Sequence, residues 1–332
     1  MPTTTETTTY DSFVTLTIKN YEKKLNKQFL EYRPAVNILF DNYKHTDTKG
    51  GRIWQGIAEY GVNPTVKFFD GADTFSQEVT QVAQPIMYQW RYMGATISLL
   101  KTEMLENSGP VALADLTEVR LKQCLRTMNL IIGNEIFSDG TNYGGKTFIG
   151  LAAAVSTTPS VDPASGSLGG LSAATWNWWR NNATTSFGSF AANGVNGSAS
   201  DLVLRQFNNC TDGMVERPTD IISDQATWEF YNKTNIQPVR YVDQVNATAD
   251  LSFKALEYQG IKWVWDRQCP TGRTYILNRN HIHFMVDPRY MFEWTSDLQY
   301  PNQLAYTRIV GLRLFMCTRV RMFSAVLDGI TA

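Results

Sequence analysis

Apolar residues between positions 115 and 137 recur mostly at three- and four-residue steps, which places them on one face of a helix. They are Leu116, Leu121, Cys124, Leu125, Met128, Ile131, Ile132 and Ile136. Asp115 stands where an N-cap would, with Glu118 three residues later, as in a capping box. At 1.5 Å rise per residue such a helix spans roughly 33 Å, enough to cross a domain. We call this predicted element the spine helix.

The stretch before the spine helix has the alternation that is typical of strands. The predicted strands are residues 52–60, 65–69 and 74–88. Asp70 and Gly71 form a turn signal between the second and third of them. The pattern therefore predicts a long hairpin with Phe68, Phe69 and Phe75 near its tip. Two interpretations of these aromatic residues stay open: they fold back onto their own domain, or they insert against a neighbouring subunit.

The remaining pattern mixes helices and strands. Residues 1–10 are polar and rich in threonine, which predicts a free arm, and Pro34 splits the next helical stretch in two. The predicted helices are residues 16–32, 35–43, 201–215 and 225–234, and the predicted strands are residues 219–224, 239–245, 251–258, 261–266, 274–278, 282–286 and 308–326. This order predicts an α+β fold.

Composition narrows the class of protein. The 332 residues are 43% hydrophobic and 12% aromatic, which indicates a globular chain, and a net charge of −1 excludes a global field that would attract nucleic acid. We expect no membrane span, because no run of about 18 apolar residues occurs, and no signal peptide. The four cysteines are far apart without a CxxC pair, so free thiols are favoured over a disulfide framework or a zinc site.

Residues 140–147, GTNYGGKT, match the GxxxxGK[ST] pattern of a phosphate-binding P-loop. That chemistry needs a strand before the loop and a helix after it, so that backbone N–H groups converge on phosphate. Here the preceding element is the spine helix, so a glycine-rich helix exit is favoured. A P-loop NTPase that uses Lys146 and Thr147, with Asp287 on magnesium, is the second hypothesis.

Other candidate chemistry is sparse. His281 and His283, two residues apart on a predicted strand, could bind zinc with Asp287, but a structural role is favoured. Asn-x-Ser/Thr sequences and the tryptophans of residues 175–180 motivate a third hypothesis, a secreted ligand-binding module. We predict no catalytic residue, no cofactor and no metal, and therefore no enzyme.

Several segments resemble tailed-bacteriophage major capsid proteins. The resemblance begins with residues 148–151 (FIGL), continues with residues 169–172 (GGLS) and includes residues 175–181 (TWNWWRN). Ala174 departs from the pattern, since many relatives have a polar residue there. Residues 218–222, 260–266 and 274–278 are similar to later strands of the same family, so the likeness extends over most of the chain.

The resemblance implies the coat-protein fold of lambdoid phages, which herpesvirus capsid floors share. The implied division is an amino-terminal arm at residues 1–48, an extended loop with the start of the peripheral domain at 49–108, the peripheral spine helix at 109–139, an axial domain at 140–287 and returning peripheral strands at 288–332.

The implied function is a major capsid protein that assembles through pentamers and hexamers into the icosahedral shell around a double-stranded DNA genome. The contact residues expected between subunits are Phe68, Phe69, Asp70, Gly71 and Phe75. The expected partners are identical subunits, with scaffolding, portal and decoration proteins as further candidates and only non-specific proximity to DNA. The protein would be assembled in the host cytoplasm and reside in the virion capsid.

Overall fold

The computed structural model describes residues 33–41, 44–45, 51–61, 65–71, 73–74, 81–102, 110–213, 216–239, 256–295, 298–299 and 305–331. The predictions made for residues 1–32, for Phe75 and for residues 240–255 lie outside the described residues.

Helices and strands alternate along the described chain. In chain order the helices are α1 Pro34–Asp41, α2 Pro110–Ile136, α3 Asn142–Gly145, α4 Leu151–Ala154, α5 Phe190–Asn193, α6 Leu202–Asn209 and α7 Gln225–Val239, with 3₁₀ turns at Leu168–Gly170 and Asn177–Trp179. The strands are β1 Lys44–His45, β2 Ile53–Glu59, β3 Ala83–Gln89, β4 Arg91–Leu100, β5 Asn182–Thr184, β6 Gly188–Ser189, β7 Asp220–Ser223, β8 Leu256–Tyr258, β9 Ile261–Trp265, β10 Arg273–Leu277, β11 Ile282–Trp294, β12 Leu298–Gln299, β13 Ala305–Thr318, β14 Ala325–Asp328 and β15 Ile330–Thr331.

The spine helix is confirmed as α2, but it begins at Pro110, five residues before the predicted start. Asp115 therefore lies inside the helix and is not its N-cap. Proline suits the first helical position, where its missing N–H would have no partner. The buried apolar side chains of α2 follow steps of three and four: Leu121, Leu125, Met128, Ile132 and Ile136. Each such side chain contributes about 1.5–3 kcal/mol on burial, so this stripe holds the helix against the core.

The first sheet contains the longest strands. Its order is β1-β11-β13-β12, and β4 also pairs with β13. The antiparallel register of β4 and β13 runs from Leu100 opposite Ala305 to Arg91 opposite Leu314. The core that this sheet shares with α1 and α2 includes Phe284, whose ring stacks on that of Phe40 at 4.4 Å.

The second sheet has the order β5-β14-β10-β7-β9-β8 and its own core. All four residues of β7 are buried, as expected for an inner strand covered on both faces. Phe190, Phe207, Trp263 and Leu327 belong to this core. The predicted single strand at 308–326 is wrong: β13 ends at Thr318, and β14 pairs with β10 of the second sheet. The chain thus crosses from one sheet to the other in residues 319–324.

Candidate functional site

The hairpin of β2 and β3 has one buried face and one exposed face. The strands pair from Ile53 opposite Gln89 to Glu59 opposite Ala83. Ala58, Ile86 and Tyr88 point to the buried face, whereas the exposed face carries apolar side chains at Ile53, Ile57, Pro85 and Met87. An isolated two-stranded hairpin is marginally stable in water, so it needs the packing of its buried face.

Tyr88 attaches this hairpin to the first sheet. Its ring stacks on Phe315 of β13 at 5.6 Å, and its hydroxyl donates to the carbonyl oxygen of Thr318 at 2.8 Å. Burial raises the pKa of this phenol, so it stays neutral and keeps its donor. Trp54 packs beside it, 5.7 Å from Phe315. The Trp54 ring lies over Gly56, where a Cβ would collide with it. The absence of a side chain at Gly56 therefore permits this packing.

A second attachment lies at the far end of the hairpin's paired strands. Tyr60 stacks face to face on Trp178 at 4.5 Å and lies 5.8 Å from Trp176. The tryptophans that motivated a ligand-binding module are thus part of internal packing, and Trp179 is completely buried with its indole N–H donating to the carbonyl of Leu168.

Arg313 fixes the point where the hairpin leaves the body. Its guanidinium lies 2.6 Å from Asp287 Oδ2 and donates to the carbonyl of Gly51 at 2.6 Å. The same group lies 4.6 Å from the Trp90 ring centroid and 5.3 Å from that of Tyr92, within the range of a cation–π contact. Gly51, just before β2, and Trp90, directly after β3, are thereby held against β13.

The tip, residues 65–74, behaves differently from the paired strands. Its described residues form no strand, so the predicted strand at 65–69 is wrong. Phe68 is fully exposed, Val66 is 79% exposed and Phe69 is 61% exposed. The Asp73 backbone N–H donates to the Asp70 carbonyl at 2.9 Å, which closes a local turn, and the Asp70 carboxylate accepts from the Gly71 backbone N–H. Phe68, Phe69, Asp70 and Gly71 therefore lie together at an exposed tip, and their contact with another subunit stays a prediction. Phe75 lies outside the described residues.

The P-loop hypothesis lacks its geometry. Residues 140–147 follow α2 and contain the short helix α3, in which Tyr143 and Gly144 have φ of 52° and 68°. The next helix, α4, has only four residues. Asp287, the proposed magnesium ligand, is paired with Arg313 instead. Neither flank required for phosphate binding is present in this described region.

The proposed zinc ligands are not brought together either. His281 lies before β11, 3.1 Å from a Glu216 carboxylate oxygen and stacked on Phe323, whereas His283 is buried within the strand. Within the described residues no group of three histidine, cysteine or carboxylate side chains could hold a metal ion. The helices in that part of the chain include none with the length and hydropathy of a membrane span.

Sequence reasoning missed the exposed apolar face of the hairpin and the Arg313 contacts. The first had a signal: Ile53, Gln55 and Ile57 alternate with Trp54, Gly56 and Ala58, so apolar residues occur on both faces of β2. The second had none, because Arg313 and Gly51 are 262 positions apart in sequence.

No protein-family model and no curated protein sequence matches the chain. Solved structures do match its fold. In the cyanophage A-1(L) capsid asymmetric unit, the similar chain has a TM-score of 0.65 and 14% identity, with 90% of this chain and 93% of that chain covered. A satellite phage P4 procapsid that includes the size determination protein matches with a TM-score of 0.52 at 10% identity, covering 93% and 91%.

A third match, the holo-SrpI encapsulin complex from Synechococcus elongatus PCC 7942, has a TM-score of 0.52 and 10% identity and covers 89% of this chain and 86% of that one. The chain therefore has the fold of phage major capsid proteins, shared with an encapsulin. The predicted fold class is confirmed.

Proposed function

We propose that this chain is the major capsid protein of a tailed phage, whose copies assemble through pentamers and hexamers into an icosahedral shell around double-stranded DNA. The observation that carries the proposal is the capsid fold over about nine tenths of the chain, combined with a hairpin whose tip is exposed and aromatic. The proposed role is structural and not catalytic.

The exposed hairpin supports assembly on energetic grounds. The paired strands present Ile57, which is 69% exposed, and Met87 on their outer face, and the tip presents Phe68. Contiguous exposed apolar surface is typical of interaction sites, and large aromatic side chains often dominate the binding energy when they become buried. Identical neighbouring copies would cover this surface by a repeated contact, which is how symmetric assemblies are built.

We propose a domain division along the two sheets. The division expected from the resemblance has an arm at residues 1–48, an extended loop with the start of the peripheral domain at 49–108, the spine helix at 109–139 and an axial domain at 140–287.

The first sheet would be the peripheral one. Because α1 packs into the core of the first sheet and β1 pairs with β11, we place both in the peripheral domain and not in the arm. Because β11 begins at Ile282 and pairs with β13, we end the axial domain before it. Of residues 288–332, β13 pairs within that first sheet, whereas β14 and β15 pair with strands of the axial region. We therefore assign these last two strands to the axial domain.

The near-neutral chain suits a shell around packaged DNA. A strongly basic inner surface would bind the duplex tightly through its phosphates, whereas a net charge of −1 gives no such global attraction. Scaffolding, portal and decoration proteins are the further partners we propose, with assembly in the host cytoplasm and a final location in the virion.

Electron microscopy of the purified protein tests the proposal. Closed shells are expected, and a strictly monomeric protein under all assembly conditions would contradict it. Because an encapsulin complex also has this fold, the contents need a separate measurement: nuclease-resistant DNA recovered from native particles is expected for a capsid.

A tip variant tests the hairpin's role. Phe69→Asp should leave the monomer folded and soluble but prevent closed shells, because a carboxylate would be buried at the contact. Val161→Asp is the matched control, since Val161 has a similar exposure of 57% outside the hairpin. Loss of helical circular dichroism together with solubility in Phe69→Asp would show that this aromatic belongs to the monomer's own core.

A further inference from the structure

A cavity of about 270 Å³ lies between β4, the C-terminal half of α2 and the loop after α3. We call it the receptor cavity. Its apolar lining consists of Met93, Ile131, Ile132, Phe148 and Leu314. Small-molecule sites usually have volumes of about 300–1,000 Å³. The receptor cavity is slightly smaller than that range and suits one large side chain better than a cofactor.

Two cations lie at the receptor cavity, Arg91 and Lys146. Among the described residues neither has an ion-pair partner. The carboxylate that also lines the cavity, Glu135, is 5% exposed and accepts hydrogen bonds from Ser138 and Asn142. The cavity therefore combines an apolar interior with an excess of one positive charge.

The hairpin tip has the complementary composition. Phe68 is fully exposed, and two carboxylates follow it, Asp70 and Asp73. The single cation of the described tip, Lys67, donates to the Thr74 carbonyl at 3.0 Å and so belongs to the local turn. The described tip therefore carries one excess negative charge beside an uncovered aromatic ring.

We propose that Phe68 of one copy inserts into the receptor cavity of a neighbouring copy, with Asp70 and Asp73 facing Arg91 and Lys146. The occupant is a second copy of this chain because the two surfaces are complementary. The tip offers one exposed aromatic ring and two carboxylates, and the receptor cavity offers an apolar interior and two cations that have no carboxylate partner among the described residues. The inference rests on the proposed shell function and names the surface that receives the tip.

Cross-linking tests the proposed pair of surfaces. Gly71→Cys leaves Phe68 and both carboxylates in place, and a side chain at residue 71 meets open space. Tyr143→Cys puts a thiol at the receptor cavity on an exposed residue. A short bifunctional maleimide should link assembled copies of the double variant into ladders on a denaturing gel. The control pairs Gly71→Cys with Lys262→Cys, an exposed residue of β9 in the second sheet.

The outcomes separate this inference from the proposed function. Ladders in closed shells of the double variant, without ladders in the control, support the docking. Closed shells without ladders, or equal ladders in both variants, overturn the docking and leave the shell intact. Failure of the unaltered protein to form shells overturns the function itself.

A charge swap provides a second measurement that does not depend on cysteine variants. Lys146→Glu should raise the protein concentration needed for shells by about tenfold, and Asp70→Lys in the same chain should reverse part of that increase, since opposite charges then meet again. Lys262→Glu should have no such effect. An unchanged threshold for Lys146→Glu, or no recovery in the double variant, would overturn the proposed pairing.

Discussion

Arg321 provides a quantitative test of how the chain's crossing between the two sheets is stabilised. The side chain is completely buried. Its guanidinium donates to the carbonyls of Ala153, Ala154 and Trp179 and to the side-chain oxygen of Asn181, at 2.9–3.2 Å. Burial lowers the pKa of Arg321 to about 10. The group nevertheless stays charged at neutral pH. Its hydrogen bonds connect residues 153–154 and 179–181 to the crossing between β13 and β14.

Replacement by methionine removes four hydrogen bonds to a charged donor. At about 1.5–3 kcal/mol each they would sum to about 6–12 kcal/mol if they were additive. Methionine would not incur the cost of burying a charge, and water entering the site would recover part of the loss. We therefore expect Arg321→Met to reduce the free energy of unfolding by about 3–6 kcal/mol.

Urea denaturation of the unassembled protein, followed by tryptophan fluorescence, measures this loss, since Trp179 is fully buried beside the guanidinium. Arg205→Met on α6 is the matched control, because Arg205 is exposed and its loss should change stability by about 0.5 kcal/mol or less. Arg321→Lys should fall between them, since an ammonium group lacks the planar fork of guanidinium. A loss below about 1 kcal/mol for Arg321→Met would refute the reasoning.

Three further predictions concern Arg313, at the base of the hairpin, and the buried thiol of Cys210. Arg313→Met should destabilise the protein by about 3–5 kcal/mol, because it leaves the 3%-exposed Asp287 without its cation. Adding Asp287→Asn should restore part of the lost stability, as measured by thermal unfolding. Purely additive losses of stability would contradict the pairing. Burial raises the pKa of Cys210 to about 12, so at pH 8 this thiol should react with iodoacetamide about 10³-fold more slowly than an ordinary thiol. Peptide mass spectra should show slower labelling of Cys210 than of the half-buried Cys124. Equal labelling of the two cysteines would contradict the prediction. Because the folded pKa of Cys210 exceeds the unfolded one, its contribution is complete below pH 9 and should fall by about 1.4 kcal/mol per pH unit between pH 9 and 12, and Cys210→Ala should remove this slope in urea titrations.

The spine helix shows which parts of this fold local sequence determines. Its buried stripe follows the helical period from Leu121 to Ile136, so its existence and its inner face are predictable from spacing alone. Its start is not. An Asp with a Glu three residues later stabilises a helix N-terminus, but the same pair also occurs within helices. Asp115 therefore gave a start that is five residues late.

The strand errors have a different physical cause. Residues 65–69 have strand-forming side chains, yet a strand also needs a hydrogen-bonded partner, and the described residues provide none for them. Residues 308–326 have apolar side chains on both sides of the crossing and also within it, at Val320, Met322 and Phe323, and arginines occur in β13 as well as in the crossing. The pattern of apolar and polar residues therefore does not mark where one strand ends and the next begins. The boundary depends on pairing with β10, which is a long-range property of the fold.

The P-loop match failed for a related reason. Its residues need a particular pair of flanking elements, and the sequence already showed that a helix precedes Gly140. The positive φ of Gly140, 87°, explains a glycine at that position without any ligand, since its backbone turns sharply against Phe148 and Ile149. Gly140 therefore allows the chain to turn sharply where it leaves the spine helix.

The division between the hairpin's attached strands and its exposed tip has a thermodynamic consequence for assembly. Tyr88, Tyr60 and Arg313 already hold both ends of the paired strands in the single chain. Most of the entropy loss needed to position the hairpin therefore occurs on folding and not on association. The tip around Phe68 remains exposed in the single chain. In the proposed shell, a pre-positioned hairpin of this kind would allow a small aromatic contact, repeated at every subunit, to stabilise the closed assembly.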